Sequence, residues 1–588
     1  MKQAGSGCAA GALATGWLVC AGVGALAGAA QAQAPVAPAA TAVAAQCTAL
    51  PAAMVGHFPD ATTRLTSAKV VPAGTVTPPA GGGPPGPAIA VPAHCEVTGI
   101  LQERAGAQGQ QYAIRFHLRM PLDWNGRFFF QGGGGSNGNL GDAVGHYSQA
   151  APAALTQGFA VVSQDSGHDN TLNNDPTRSG QLVFGFDARA RANYGHASLP
   201  LVSEAAKAVV KQLYGASPRY SYFVGCSKGG EEGMVLAQRY PAEFDGIVAG
   251  APGMSLPRAA VAEAWDTQAL ASVATESAGK LSVADLAAGF SDGDLALARA
   301  AVLAACDADD GVKDGIVGDF GKCTTARVLP QLRQRQCTAG KTAQCLTDRQ
   351  VAALTRLMSG AHDSAGHSLY APWQWDAGIS ESGWRAWKLG GGPMPALNVI
   401  LGGPSLASVF TTPPTALGTD PQQALEFLLK FNFDRDAPKI YATDAGFKHS
   451  AWEEVSARSP DLDGFQARRG KLLVYHGVSD PVFSINDTLA WWREVNHRTG
   501  GKADAFVRVF PVPGMNHCGG GMATDEFDVL PALMRWVEHG EAPRQISASA
   551  GAHSAWPGRT RPLCPYPAVA RYTGHGDVNK AESFACRN

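Results

Sequence analysis

Tyr220-Ser-Tyr-Phe-Val-Gly-Cys-Ser-Lys-Gly-Gly230 decides the fold. Tyr220 to Val224 is a run of aromatic and β-branched residues that reads as a buried strand. Gly225-Cys226-Ser227-Lys228-Gly229 matches G-x-S-x-G, and Glu231 to Tyr240 carries apolar residues at helical spacing. Strand, sharp turn and helix in that order hold a serine on a strained turn with its oxygen exposed. A second match, Gly134-Gly135-Ser136-Asn137-Gly138, follows a strand-like run but continues into glycine and polar residues without a helix. With 70 glycines in 588 residues the pattern alone is cheap. Context makes Ser227 the candidate nucleophile and passes over Ser136.

Outward from this elbow, strand-like and helical patterns alternate. Arg127-Phe-Phe-Phe130 and Gly158 to Ser163 read as buried strands, and Ser203 to Tyr214 as a helix. The alternation returns at Lys471 to Tyr475, Phe506 to Pro511 and the helix-like Val529 to His539. Such alternation predicts an α/β fold with a doubly wound parallel sheet, the α/β-hydrolase arrangement. Between Met254 and Asp463 it disappears, in a stretch with four cysteines and many tryptophans. The expected organisation is a signal peptide over 1–34 and a Pro/Gly-rich segment over 35–94, with linker or surface loop at Pro35 to Ala45 and Pro72 to Pro92. The hydrolase core occupies 95–253 and 464–588, and an inserted lid domain occupies 254–463.

A serine nucleophile needs a base, and the base needs a carboxylate to orient it. This elbow expects them in the order serine, acid, histidine. Asp480 lies in the loop leaving the strand Lys471 to Tyr475, and His517 in the loop after the strand ending near Pro511. Open α/β sheets place their sites at that strand edge. His476 is the rival base, but it precedes Asp480. The glycines Gly132 to Gly135 allow a backbone to approach a developing oxyanion closely. The donors assigned are the N–H groups of Gly135 and Lys228. Cys226 precedes the nucleophile and Cys518 follows the base, so a disulfide joining them would staple the site.

The remaining composition bounds the class. Lysine plus arginine (47) nearly balances aspartate plus glutamate (49), a net charge of −2, which excludes a basic nucleic-acid binder. Lys2, a small apolar run to Ala30 and the A-x-A sites ending at Ala32 and Ala34 predict export, secreted or periplasmic. No later run approaches the ~18 apolar residues of a membrane span. Ten cysteines remain beyond that segment, an even number that fits disulfides in an exported chain. Cys306 with Cys323, Cys337 with Cys345 and Cys564 with Cys586 are short-range candidates, and Cys47 and Cys95 complete the set. Asp307-Ala-Asp-Asp310-Gly-Val312-Lys-Asp314-Gly-Ile316 alternates carboxylates with free carbonyls, as hard cations require, but not in EF-hand register.

At these residues the sequence resembles the tannase/feruloyl esterase family of α/β-hydrolases. The resemblance runs through Trp124 to Phe129, Gly225-Cys-Ser227, Asp245 to Pro252, Cys306-Asp307, Trp373 to Gly378, Pro513 to Cys518 and Arg561 to Pro567. It implies a serine esterase with a lid, acting on a small aromatic ester. The terephthalate monoester type is the nearest substrate class, and hydroxycinnamate or gallate esters the alternative. It also implies the Cys226–Cys518 bridge and a structural calcium held by Asp307, Asp310 and Asp314 with the carbonyls of Val312 and Ile316. Trp387 and Phe483 match aromatic positions of the substrate pocket. The arginine that terephthalate-type members use to hold a free carboxylate falls at Leu397, with Arg385 as a substitute from elsewhere. Gly134 and Lys228 stand where those members carry serine and glutamate.

Overall fold

The computed structural model describes residues 40–78 and 88–588, apart from Gln149, Ala278, Gly392 and His553; the expected signal segment lies outside them. Nine strands form the central sheet: β1 (Arg64–Val71), β2 (His94–Ala105), β3 (Gln111–Pro121), β4 (Arg127–Gln131), β5 (Ala160–Gln164), β6 (Tyr220–Cys226), β7 (Gly246–Gly250), β8 (Lys471–Gly477) and β9 (Val507–Val512). Their order is β1-β2-β3-β5-β4-β6-β7-β8-β9. From β5 to β9 every pairing is parallel, and β1, β2, β3 and β5 pair antiparallel. The parallel strands are buried along their length, which explains their near-continuous apolar sequences. Alternation still divides them: Phe128 and Phe130 join the core on one face, and Phe129 joins the core on the other.

Four helices matter for the site. α1 (Ala40–Ala53) opens the described chain, α2 (Ser198–Tyr214) precedes β6, α3 (Lys228–Arg239) follows it, and α4 (Leu256–Ala271) follows β7. The segment 254–463 adds no strand to the central sheet, and its regular structure is nearly all helical. Among the described residues it packs with the hydrolase core as one compact unit. No described helix is long and apolar enough to cross a membrane.

The N-terminal expectation needs correction. Part of the stretch read as linker folds: Ala40–Ala53 is a helix and Gly74–Val76 pairs with Ile89–Val91. Between them, β1 forms the edge of the main sheet. Val43, Cys47 and Leu50 bury the inner side of α1, and Cys47 is bonded to Cys95 on β2. An alanine-rich run forms a helix readily, and the disulfide holds it to the sheet.

Candidate active site

Ser227 sits at the turn between β6 and α3 with φ 65° and ψ −120°, a left-handed conformation that costs a non-glycine residue strain. Space forces the neighbouring glycines. A Cβ at Gly225 would lie 2.5 Å from the carbonyl oxygen of Gly229, and one at Gly229 would lie 2.6 Å from that of Gly133. The elbow and the loop after β4 therefore touch backbone to backbone.

That loop is pinned from beneath. The N–H of Gly133 donates to Glu232 Oε2 at 2.8 Å, and the N–H of Gly134 donates to Asn137 Oδ1 at 2.8 Å. Asn137 Nδ2 donates in turn to Glu232 Oε1 at 2.8 Å. Tyr194 donates its hydroxyl to the Gly135 carbonyl at 3.2 Å. The N–H groups of Gly135 and Lys228 take no partner among the described residues. The Lys228 side chain is buried, paired with Glu231 and Glu232, and lies over the Tyr194 ring. Burial pushes the Glu231 carboxyl up to about 8, although Lys228 opposes it.

The loops after β8 and β9 bring the other groups to the same strand edge. His517 Nδ1 and Asp480 Oδ2 are 2.8 Å apart, and Asp480 Oδ1 accepts the N–H groups of Val482 and Phe483. Burial alone would raise the Asp480 carboxyl, but the charge of His517 and hydrogen bonds from His476 and His517 hold it below the usual range. His517 Nε2 is buried and has no hydrogen-bond partner. His476 is buried within β8, with Nδ1 on Thr488 Oγ1 and Nε2 shared between the Phe483 carbonyl and, at 3.4 Å, Asp480 Oδ2, so it backs Asp480 rather than lining the cavity. Ser136 lies in a turn with no helix after it.

Ser227 and His517 face one cavity of about 310 Å³, whose lining includes Gly135, Leu397, Trp387 and Phe483. The rings of Trp387 and Phe483 meet the His517 ring edge-on, at 5.8 and 5.4 Å between centres. Leu397 thus faces the cavity. Arg385 does not replace it, because its guanidinium is committed to the carbonyls of Phe290 and Ala287. Glu263 on α4 also lines this cavity, a residue that sequence reading missed. A lone glutamate in an apolar helix carries no signal of what later packs over it.

Five disulfides are present: Cys47–Cys95, Cys226–Cys518, Cys306–Cys323, Cys337–Cys345 and Cys564–Cys586. In the acidic loop, Asp307 Oδ1 accepts the N–H groups of Asp314 and Gly315, and Asp310 accepts that of Val312. Asp314 pairs with Arg561. Burial pushes the Asp310 carboxyl up to about 7, with Asp314 and Asp307 adding to the rise. Among the described residues no three such side chains are gathered as a metal cage.

A serine on a strand–turn–helix elbow and a histidine held by a buried aspartate, with the serine and the histidine lining one cavity at the strand edge, form the arrangement expected of an α/β-hydrolase. The chain belongs to the tannase and feruloyl esterase family and is a carboxylic ester hydrolase: the family model "Tannase and feruloyl esterase" matches residues 95–587. It is 45% identical to the mono(2-hydroxyethyl) terephthalate hydrolase of Piscinibacter sakaiensis over 85% of each chain. It is also 30% identical to a probable feruloyl esterase of Arthroderma benhamiae, over 80% of this chain and 81% of that one. The crystal structure of feruloyl esterase B from Aspergillus oryzae superposes with a TM-score of 0.72 at 23% identity, covering 93% of this chain and all of that one. At that identity the superposition speaks for the fold.

Proposed function

We propose that this is an exported serine esterase that cleaves esters of aromatic acids. The observation that carries the reading is the cavity itself, which Ser227 and His517 line together with Trp387 and Phe483, whose rings both meet the His517 ring. Ser227 Oγ attacks the ester carbonyl while His517 Nε2, free of other partners, takes its proton. Asp480 fixes the tautomer of His517 through Nδ1 and stabilises the imidazolium. The N–H groups of Gly135 and Lys228 receive the oxyanion. The alcohol departs with the proton from His517, and water then releases the acid by the same steps.

The relative at 45% identity supports terephthalate monoesters as the substrate class. A second reading, hydroxycinnamate or gallate esters, is favoured by Leu397, which offers no charge to a free carboxylate. Export is supported by the N-terminal composition and the five disulfides, bonds that persist in oxidising compartments. A calcium ion would be held by Asp307, Asp310 and Asp314 with the carbonyls of Val312 and Ile316. Three carboxylates in one short loop are the kind of oxygens a hard cation takes. They accept backbone N–H groups and, at Asp314, pair with Arg561 rather than converging as a cage, so binding would require the loop to rearrange. The ion would neutralise that charge and brace the loop, outside the chemistry.

The test is acid release from mono(2-hydroxyethyl) terephthalate, methyl ferulate and methyl gallate by the mature protein. Ser227→Ala should abolish release of every acid that the parent liberates. Undiminished release would overturn the mechanism.

A further inference from the structure

Glu263 is 5% exposed and lines the cavity that holds Ser227 and His517. No hydrogen bond or ion pair from the described residues reaches its carboxyl group; the one side-chain bond to this residue is from the Thr267 hydroxyl to its backbone carbonyl. A buried carboxyl left without a partner is costly, so its retention at a cavity wall calls for an occupant. The fold makes room for it: a Cβ at Gly402 would lie 1.8 Å from Glu263 Oε2, so any side chain there would have to push the carboxyl from its place.

Its position along the cavity follows from α4. The N–H of Gly253 donates to the Ser227 carbonyl at 3.2 Å, and Leu256 starts α4 three residues later. Leu256 and Glu263 both line the cavity, two helical turns apart, or about 10 Å along the axis. Leu256 is the end near the nucleophile and Glu263 the remote end, a separation that suits an acyl group's aromatic ring and the substituent opposite its carbonyl.

The charge around Glu263 selects what that substituent can be. Lys388 is fully buried, paired with Asp266 and stacked 3.8 Å from the Trp373 ring centre, so its charge is already taken. Asp266 on the same helix and the buried Tyr370 are the other ionisable neighbours. Lys228 is held by Glu231 and Glu232. Leu397 and Leu401 are apolar. An acid without a free cation beside it opposes an anionic ring end and suits a neutral group that both donates and accepts.

We propose that Glu263 is the specificity residue of the acyl pocket, hydrogen-bonding a neutral hydroxyl on the far side of the aromatic ring and disfavouring a carboxylate there. The inference rests on the esterase reading above. Burial holds the Glu263 carboxyl up at about 8, against the pull of Lys388 and with the push of Asp266, so at neutral pH it is an acid that can donate as well as accept. A site built to bond a hydroxyl rejects the analogue that lacks it, because its own polar group is then left unpaired.

The experiment compares wild type, Glu263→Gln and Glu263→Leu in two ways. The first is the ratio of kcat/KM for methyl 4-hydroxybenzoate over methyl benzoate, with methyl 4-hydroxycinnamate over methyl cinnamate as the longer pair. Wild type should favour the hydroxylated member of at least one pair by about tenfold. Gln, neutral with donor and acceptor, should keep that preference, and Leu should lose it. The second is binding of 4-hydroxybenzamide and benzamide by calorimetry, which needs no turnover and should show the same order. A preference that survives in Glu263→Leu, or vanishes in Glu263→Gln, overturns the proposal. Should the Leu variant not fold, monomethyl terephthalate decides. Its KM relative to methyl benzoate should rise between pH 7 and 9 in wild type, as Glu263 ionises, and stay flat in Glu263→Gln; an equal rise in both overturns it. Ester cleavage that persists in Ser227→Ala would instead sink the esterase mechanism, while the benzamide affinities still judge Glu263.

Discussion

The Cα atoms of Cys226 and Cys518 stand 6.0 Å apart with their sulfurs bonded, so the residue before Ser227 is tied to the residue after His517. The link closes a loop of 292 residues between two loops that the sheet alone holds only through β7 and β8. A bridge closing so long a loop contributes about 3–5 kcal/mol of stability. The double variant Cys226→Ala/Cys518→Ala should therefore melt lower. It should also lose kcat well below its melting range, because small shifts between nucleophile and base cost rate steeply. Thermal melts and kcat on methyl benzoate check both; a lower melting temperature with full kcat would mean that the bridge serves stability alone.

Asp480 holds His517 by a 2.8 Å contact at Nδ1, and Asp480→Asn would present an N–H where the ring needs an acceptor. The expected loss is about 10⁴-fold in kcat with KM little changed. The carboxyl is depressed below its unfolded value, so the stability it contributes is complete above that value and is lost progressively as pH falls from there through the lower folded one. The melting difference between wild type and Asp480→Asn should thus be larger at pH 7 than at pH 3.

Much of this site was legible because its residues are local to signals that sequence carries. The Ser227 elbow is announced by a strand, glycines and a helix within about twenty residues. Asp480 and His517 each follow a buried strand, and chain order sorts them from His476. What escaped depends on contacts distant in sequence. Glu263 resembles any solvent-facing helical glutamate until Gly402 and Leu397 fold over it. Asn137 and Glu232, which pin the oxyanion loop, meet across 95 residues. β1 shows no clean alternation of burial, being an edge strand half open to water, so nothing marked it out from the surrounding loop.

Glu263 also makes stability depend on pH in the opposite sense from Asp480. Its folded value near 8 lies above the usual range for a glutamate, so the folded protein keeps a proton that the unfolded chain releases. Its contribution is greatest below the unfolded value and is lost as pH rises towards 8. Glu263→Gln cannot ionise. Its melting temperature relative to wild type should therefore climb between pH 5 and pH 8, by a few degrees. A constant offset across that interval would mean that the carboxyl is solvated and ionised as usual.

Calcium at the Asp307–Ile316 loop should act on stability and spare the chemistry. Chelation with EGTA should lower the melting temperature, and added calcium should restore it, with kcat at 25 °C unchanged. Asp310→Ala should melt low and respond to neither treatment, since that variant removes one of the buried carboxylates proposed to hold the ion. An unchanged melt under EGTA would leave the loop to its own hydrogen bonds and to Arg561.

Leu397 and Glu263 line one cavity, so the preference for a neutral ring end should be reversible by design. Leu397→Arg places a guanidinium where a substrate carboxylate would need one, but the carboxylate on the same cavity lining is Glu263. A buried arginine pairs with an available carboxylate before it meets a substrate. The single variant should therefore lower activity on methyl 4-hydroxybenzoate, because the pair consumes the hydroxyl's partner, and gain little on monomethyl terephthalate. Adding Glu263→Gln removes the competing anion and frees the guanidinium. In Leu397→Arg/Glu263→Gln the KM for monomethyl terephthalate should fall about tenfold below wild type, the worth of one charged hydrogen bond. The measurement is KM for both esters across the four combinations. Gains that simply add would mean that the two side chains do not meet, whereas a terephthalate gain confined to the double variant identifies Glu263 as the group that an anionic substrate must displace.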